Sequence, residues 1–362
     1  MPEAPSHEIT FAQAVREGFE QAMEQDQNVI VIGEGVPDPK AIFTTTSGLR
    51  EKFGHRRVFD MPLSENGLTG VCIGAALQGI RPVLVHQRID FALLSMDQLV
   101  NNAAKWHYMF DGKASVPLVV RMIVGRGWGQ GPQHSQSLQS MFAQVPGMKV
   151  VMPTTGYDAK GMLIAAIKDD NPVLIIEHRW LHQIKDVVPL GPYDAPLHKA
   201  KVLHEGSDVT VAAFSYMTVE ALVAAKALLS TMGVSIEVID MRSVRPLDTE
   251  TVLSSVKKTG RLIVADTAFR TGSIAGEVIA QIVEKGFNAL KAKPVRIASP
   301  DFPAPTSQYM SEHYYPDART IAEAVIDLVE GPRSTGGYAQ LKIDIHPRGR
   351  HDTPNQEFTG PF

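Results

Sequence analysis

Glu65 stands in the run Pro62-Leu63-Ser64-Glu65-Asn66-Gly67, at an expected turn from strand to helix. In open parallel sheets ligands bind beyond the carboxyl ends of the strands, so a carboxylate at such a turn can reach one. The same glutamate could simply stabilise the dipole of the helix it opens. His134 lies in Gln133-His134-Ser135-Gln136-Ser137, at the end of a glycine-rich loop. Glycines let the backbone approach a ligand, and histidine exchanges protons near neutral pH. With 12 histidines in the chain, a hydrogen-bonded surface histidine is the competing reading. In His86-Gln87-Arg88-Ile89-Asp90-Phe91, polar groups directly follow an apolar strand. Phe91 could give a flat surface to an aromatic ligand, although core is the commoner fate of a phenylalanine. Asp169-Asp170-Asn171 could be an oxygen-rich cation site or just the turn that ends a helix. The chain has no G-x-x-x-x-G-K-[ST] loop and no H-E-x-x-H, and no G-x-G-x-x-G follows its first strand.

These residues must be held by an alternation of strands and helices. Thr10 is expected to cap a helix running to about Gln25, with Phe11, Ala14, Val15, Phe19 and Met23 on one face. Strands are expected at 28–32, 81–86, 117–124, 149–152 and 172–177, and helices at 67–78, 96–110 and 157–168. The period breaks between His178 and Glu205, a stretch holding Pro189, Gly191, Pro192 and Pro196, which reads as a linker. A second alternating unit follows, with strands near 209–214, 235–239, 262–266 and 294–297. The expectation is α/β, with two doubly wound sheet domains at 1–185 and 205–331, a linker at 186–204 and an extended tail at 332–362.

Composition narrows the class. Of 362 residues, 44% are hydrophobic and 20% charged, the balance of a soluble globular chain with a large core. The 35 basic and 39 acidic residues leave a net charge of −4, with no basic excess to suggest nucleic acid or anionic lipid. No apolar run approaches the length of about 18 residues needed to span a bilayer, and the start lacks a signal-peptide pattern. The single cysteine, Cys72, excludes an internal disulfide framework. A cytoplasmic location is expected.

Ordered matches at consistent spacing carry a resemblance. They are Val31-Ile32-Gly33-Glu34, Pro62-Leu63-Ser64-Glu65, Met96-Asp97-Gln98 and Asn102-Ala103-Ala104-Lys105, then Gly131-Pro132-Gln133-His134-Ser135-Gln136-Ser137. Asp158-Ala159-Lys160-Gly161, Asp170-Asn171-Pro172-Val173 and Arg245-Pro246-Leu247-Asp248 complete the set. From about Ile9 to Gly331 the chain resembles the β subunit of the thiamine-diphosphate-dependent decarboxylase component of 2-oxo acid dehydrogenase complexes, the pyruvate and branched-chain family. The resemblance implies a transketolase-like pyrimidine-binding domain followed by a transketolase C-terminal-type domain.

It further implies that Glu65 hydrogen-bonds the aminopyrimidine ring nitrogen and favours its imino form, and that Phe91 packs on the pyrimidine. His134 would assist acyl transfer to a lipoyl group, and Glu34 would lie near the cofactor. Backbone oxygens around Leu118, Ala166, Ile167 and Asp169, with Asn171, would match a potassium site. Mg²⁺ and the diphosphate would be held by an α subunit carrying a G-D-G…N motif, in an α2β2 assembly serving a lipoyl acyltransferase. Here Asp111-Gly112 has no preceding glycine, so this chain would be half an active site. Where the family usually carries Glu after the strand at 82–85, this chain has His86, Gln87 and Arg88. Arg88 suits an extra anionic group on a 2-oxo acid substrate, or pairs with Asp90 or with a carboxylate of the partner. Two further readings are half of a split transketolase-like ketol-transfer enzyme and a non-catalytic assembly subunit. The Gln-His-Ser-Gln-Ser loop disfavours the first, and Glu65 with His134 disfavours the second.

Overall fold

Thr10 caps the first helix as its position requires, in a computed structural model that describes residues 5–38, 40, 42–125, 130–311 and 313–331. Its hydroxyl accepts from the Gln13 N–H at 3.2 Å, and the Gln13 side chain accepts from the Thr10 N–H at 2.9 Å. This reciprocal box satisfies two donors that a helix start leaves open. The helix Phe11–Gln25 buries Phe11, Ala14, Val15, Phe19 and Met23, the face its periodicity marks. The tail at 332–362 and residues 126–129 of the glycine-rich loop lie outside the described residues.

The described residues divide into two compact units. The first takes residues up to Gly125 together with Met141–Leu197. Its strands are Ser6–Thr10 (β1), Val29–Gly33 (β2), Val58–Phe59 (β3), Arg81–His86 (β4), Val119–Val124 (β5), Lys149–Val151 (β6), Val173–His178 (β7) and Lys185–Pro189 (β8). Parallel pairing sets the order β6-β7-β5-β4-β2-β3. Every residue of β5 and β7 is buried, the continuous apolar pattern of strands covered on both faces. The helix Phe11–Gln25 packs on the helix Gly156–Lys168. Between them the fully buried Lys160 ammonium donates to Glu17 Oε1 at 2.7 Å and to the carbonyl of Pro189 at 2.5 Å.

Two expectations are corrected here. The stretch read as pattern-free linker contains β8, which forms an antiparallel ladder with β1 from Ser6↔Pro189 to Thr10↔Lys185. Its partner lies far away in sequence, and only one of its residues is buried, so no local period announces it. The single helix expected at 96–110 is instead a π-helical turn, Gln98–Ala103, leading into the α-helix Ala104–Met109. Within the wide turn Asn102 donates to Gln98 Oε1 at 3.1 Å.

The second unit takes residues 130–140 together with those from His198 onward. Its strands are Lys201–His204 (β9), Val209–Ala213 (β10), Ile236–Asp240 (β11), Ser243–Arg245 (β12), Leu262–Phe269 (β13) and Val295–Ser299 (β14). The order β14-β13-β10-β11 is parallel, with β9 added antiparallel at one edge. The helices Tyr216–Met232 and Ala318–Glu330 lay Ala221, Ala224, Leu228, Ile321 and Val325 against Val211, Val238 and Ile263 of the sheet. Both units are therefore α/β, built on parallel-rich sheets.

Candidate functional site

In the first unit the parallel register brings the carboxyl ends of five strands to one edge. Ile32 sits opposite Phe59, Gly33 opposite Val85, His86 opposite Met122, and Val124 opposite His178. His86 ends β4, and the residues that follow the five ends are Glu34, Asp60, Gln87-Arg88, Gly125 and Arg179. Such an edge is where open α/β sheets bind ligands. Gly33 is required at it, because a Cβ there would lie 2.3 Å from the Val85 carbonyl oxygen.

One half of the edge is acidic. Glu34 is half-buried, and its Oε1 is shielded from solvent without a hydrogen-bond partner among the described residues. Burial first, then the charges of Glu65 and Asp60, push its carboxyl above the ordinary value. Two of the expected cofactor residues, Glu34 and Glu65, are thus brought into one electrostatic group. Asp60 accepts the backbone N–H groups of Gly35 and Met61, each at 2.9 Å. Glu65 is buried in the first turn of the helix Glu65–Ala76, and its carboxylate makes no hydrogen bond among the described residues.

A polar latch fixes the Phe91 segment to that helix. The hydroxyls of Thr69 and Ser95 lie 2.8 Å apart and reach the Glu65 carbonyl at 2.7 and 3.1 Å. Asn66 donates to the Leu94 carbonyl at 3.3 Å, and Gln98 donates to Asn66 Oδ1 at 3.3 Å. Phe91 stands half-buried in the short helix Ile89–Ala92 on the same segment. The local reason is chemical: small hydroxyl and amide side chains face each other across the contact and satisfy one another.

The other half of the edge is basic and buried. His86 is 3% exposed, its Nε2 has no hydrogen-bond partner among the described residues, and burial pulls its imidazole down to about 4, so it is neutral near pH 7. Arg88, 4% exposed, donates to the Gly125 carbonyl at 3.4 Å. Burial lowers it to about 10, with Asp90 opposing. Arg179, also buried, lies 5.0 Å from the centroid of the Phe43 ring, and burial together with the Arg88 charge lowers it to about 9. The two residues expected to meet substrate, His86 and Arg88, are therefore both enclosed within the unit.

Sequence reading missed the triad beside them. Arg121 on β5 donates through Nε and Nη2 to both oxygens of Glu177 on β7, at 2.6 Å each. His182 Nε2 lies 3.1 Å from Glu177 Oε2, its ring stacked 5.7 Å from Phe11. Burial alone would raise the Glu177 carboxyl; the Arg121 charge and hydrogen bonds outweigh it and hold the group at about 2. The available signal was one charge inside each of two apolar strands, Val-Val-Arg-Met-Ile-Val and Val-Leu-Ile-Ile-Glu-His. Such charges survive burial only when paired.

The oxygens expected for potassium face cations of the chain itself. Arg81 donates to the Ile167 and Asp169 carbonyls at 3.0 and 3.1 Å, and to Asp170 Oδ1 at 2.6 Å. The Lys149 ammonium bonds to the Asp169 carboxylate, which also accepts the Asn171 N–H at 2.9 Å. The Leu118 carbonyl accepts from Val173 and the Ala166 carbonyl from Asp169, at 3.0 and 3.2 Å. No group of three or more His, Cys, Asp or Glu side chains suited to a metal occurs among the described residues.

His134 belongs to the second unit. It is exposed in a turn, and its N–H reaches the Gly131 carbonyl at 3.4 Å. Further along the segment, Gln139 is fully buried and its amide meets Asp266 on β13 at 2.6 Å.

Comparison with known proteins matches residues 7–183 to the transketolase pyrimidine-binding domain and residues 198–321 to the transketolase C-terminal domain. The chain is 40% identical to the β subunit of acetoin:2,6-dichlorophenolindophenol oxidoreductase from Cupriavidus necator, over 90% of this chain and 99% of the relative. It is 38% identical to the pyruvate dehydrogenase E1 component β subunit of Acholeplasma laidlawii, over 89% of this chain and 98% of the relative. Among solved structures, a split-gene transketolase described as an inactive β4 tetramer shares the fold with a TM-score of 0.72 at 22% identity, covering 90% of this chain and 99% of that one. The chain belongs to the family of β subunits of the pyruvate dehydrogenase E1 component and of acetoin oxidoreductase, built on transketolase pyrimidine-binding and C-terminal domains.

Proposed function

We propose that this chain is the β subunit of a thiamine-diphosphate-dependent 2-oxo acid dehydrogenase, active with an α subunit that supplies the Mg²⁺ and diphosphate ligands. The observation that carries the reading is the acidic group at the strand ends, Glu34 with Asp60 and Glu65. Glu34 Oε1 is a shielded acceptor without a partner among the described residues, and acceptors of this kind fit a ring that offers donors, such as an aminopyrimidine. Bound there, the cofactor supplies an electron sink for the loss of carbon dioxide from a 2-oxo acid. Glu65, buried as a residue in the first turn of its helix, would accept a hydrogen bond from the ring nitrogen. Glu34 stays protonated over a wider pH range than an exposed glutamate and can pass a proton to or from the same group. Phe91, on the latched segment, offers a flat apolar surface to the ring.

His134 then assists acyl transfer to a lipoyl group of an acyltransferase. A potassium ion held by Leu118, Ala166, Ile167, Asp169 and Asn171 would share the Ile167 and Asp169 carbonyls with Arg81. Exposed Leu63, Val71, Leu94, Tyr108, Met109 and Phe110 on the first unit give a partner chain an apolar surface to cover, supporting an α2β2 assembly. No helix among the described residues is long and apolar enough to cross a membrane, in keeping with a cytoplasmic enzyme.

The test is reconstitution with the candidate α subunit, assayed on pyruvate, branched-chain 2-oxo acids and acetoin with an artificial electron acceptor. Glu65→Gln keeps the shape but loses the basic carboxylate, and should lower turnover by about 10²-fold or more. Near-normal turnover by that variant would refute the role given to Glu65, and tight magnesium-dependent cofactor binding by this chain alone would sink the split-site reading.

A further inference from the structure

Gln139 and Asp266 meet inside the second unit, both fully buried. Gln139 Nε2 donates to Asp266 Oδ1 at 2.6 Å and lies 3.3 Å from Thr267 Oγ1. The Ala268 N–H reaches the same Oδ1 at 3.3 Å. One atom of each side chain is left over. Asp266 Oδ2 and Gln139 Oε1 are both shielded from solvent, and neither has a hydrogen-bond partner among the described residues. Both are acceptors, and two orphaned acceptors in a dry interior are costly.

Among the described residues no charged side chain is bonded to either atom. The elements packed on β13 are β10, β14 and the helices Tyr216–Met232, Ile274–Gly286 and Ala318–Glu330. Several of their charged residues have partners of their own. Glu220 accepts from the Ala318 N–H, Glu277 from Gln281, and Lys285 donates to Thr249 Oγ1. Glu323 sits among Arg319, Asp317 and Asp327, and Arg296 faces Asp301. What surrounds Asp266 is the Gln139 amide and the backbone N–H groups of Thr267, Ala268 and Ile274.

The geometry closes if the carboxyl keeps its proton. Oδ2–H then donates to Gln139 Oε1 while Gln139 Nε2–H donates to Oδ1, and both leftover atoms are satisfied by one reciprocal pair. We propose that Asp266 is a protonated positioning residue, whose acid–amide pair with Gln139 anchors the segment carrying His134 to the sheet of the second unit. Burial raises the Asp266 carboxyl from its ordinary value, against the pull of the N–H groups around it. The folded chain thus binds this proton more tightly than the unfolded chain does. The anchor is intact at low pH and is lost as pH rises through the folded-state pKa. That the anchored segment matters for turnover rests on the His134 reading above; the acid–amide pair does not.

The experiment uses the full chain and the variants Asp266→Asn and Gln139→Leu. Infrared difference spectra of wild type against Asp266→Asn near neutral pH read the C=O band of a protonated carboxyl. Hydrogen exchange, corrected for its intrinsic pH dependence, reads protection of residues 130–140. The wild type should show the band. Asparagine presents the same donor and acceptor, so Asp266→Asn should keep protection near wild type and remove its decline with pH. Gln139→Leu should speed exchange of the segment by about tenfold or more while Asp266 is protonated, and by less once it ionises, without altering β13 itself. Absence of the band, or Asp266→Asn losing as much protection as Gln139→Leu, would overturn the proposal. Protection lost in Gln139→Leu with acyl transfer by the reconstituted enzyme unchanged would leave the acid–amide pair standing and overturn the positioning role given to Asp266.

Discussion

Glu177→Gln tests how the buried triad at the strand ends is held. The substitution keeps size and shape but leaves the Arg121 guanidinium, 0% exposed, facing an amide in place of a charge. Two routes give the magnitude. Holding the carboxyl at about 2 against an ordinary 4.5 corresponds to about 3 kcal/mol, at about 1.4 kcal/mol per pH unit. Removing one partner of a buried ion pair costs about 3–5 kcal/mol. The routes agree, and for a unit of this size they imply a fall in melting temperature of about 10 °C. The folded-state pKa is depressed, so the stabilisation is fully present above the unfolded value of 4.5 and is lost as pH falls towards about 2. Urea unfolding of wild type and variant should therefore differ most near neutral pH and converge in acid, where Glu177 is itself protonated. Replacing both partners, as Arg121→Met with Glu177→Leu, should recover much of the loss, because no charge is then left buried alone. A loss below about 1 kcal/mol at neutral pH, or a gap that persists unchanged in acid, would refute the reasoning.

Three further outcomes follow from the same edge. In Glu65→Gln the Glu34 carboxyl should titrate lower than in wild type, since one of the charges raising it is removed; a ¹³C-detected titration showing no shift would separate the two groups. Gly33→Ala places a methyl 2.3 Å from the Val85 carbonyl oxygen and should cost about 1–3 kcal/mol or more in a melting measurement, with unchanged stability refuting the close approach of β2 and β4. Arg88→Ala removes a buried contact to Gly125, so it should lower stability and affect charged and uncharged 2-oxo acids alike. A rise in KM confined to an acidic 2-oxo acid would return Arg88 to a substrate role.

What could be read from the chain depended on how local the cause was. The Phe11–Gln25 helix was legible to its ends because its cap and its apolar stripe lie within its own residues. The strand β4 was legible because it is bounded by turn signals and buried throughout its length after Arg81. β8 was not, since its register is dictated by β1, about 180 residues away, and it adds only one buried side chain. The π-helical turn at Gln98–Ala103 was also hidden, because its apolar spacing is close to that of the α-helix expected there. Glu65, Phe91, Glu34 and His134 were singled out as candidates by the motifs around them, and Arg179 and the Arg121–Glu177–His182 triad lie outside any such motif.

The edge that gathers these residues is divided by charge, and the division follows from topology. Strand order puts β2 and β3 at one side and β5 and β7 at the other, with β4 between them. The acidic residues Glu34, Asp60 and Glu65 follow β2 and β3, whereas the basic residues Arg88 and Arg179 follow β4 and β7. Each half raises the cost of charging its own kind: Glu34 is pushed up by Glu65 and Asp60, and Arg179 is pushed down by Arg88. The basic half is enclosed, with Arg121 spending its charge on Glu177 inside the fold. In the acidic half Glu34 Oε1 is left without a donor among the described residues, so that half retains unspent capacity to accept one. An edge that took a ring carrying donors, as proposed above, would use that asymmetry. Its stability would then come from the enclosed half, and its chemistry from the acceptor left unsatisfied.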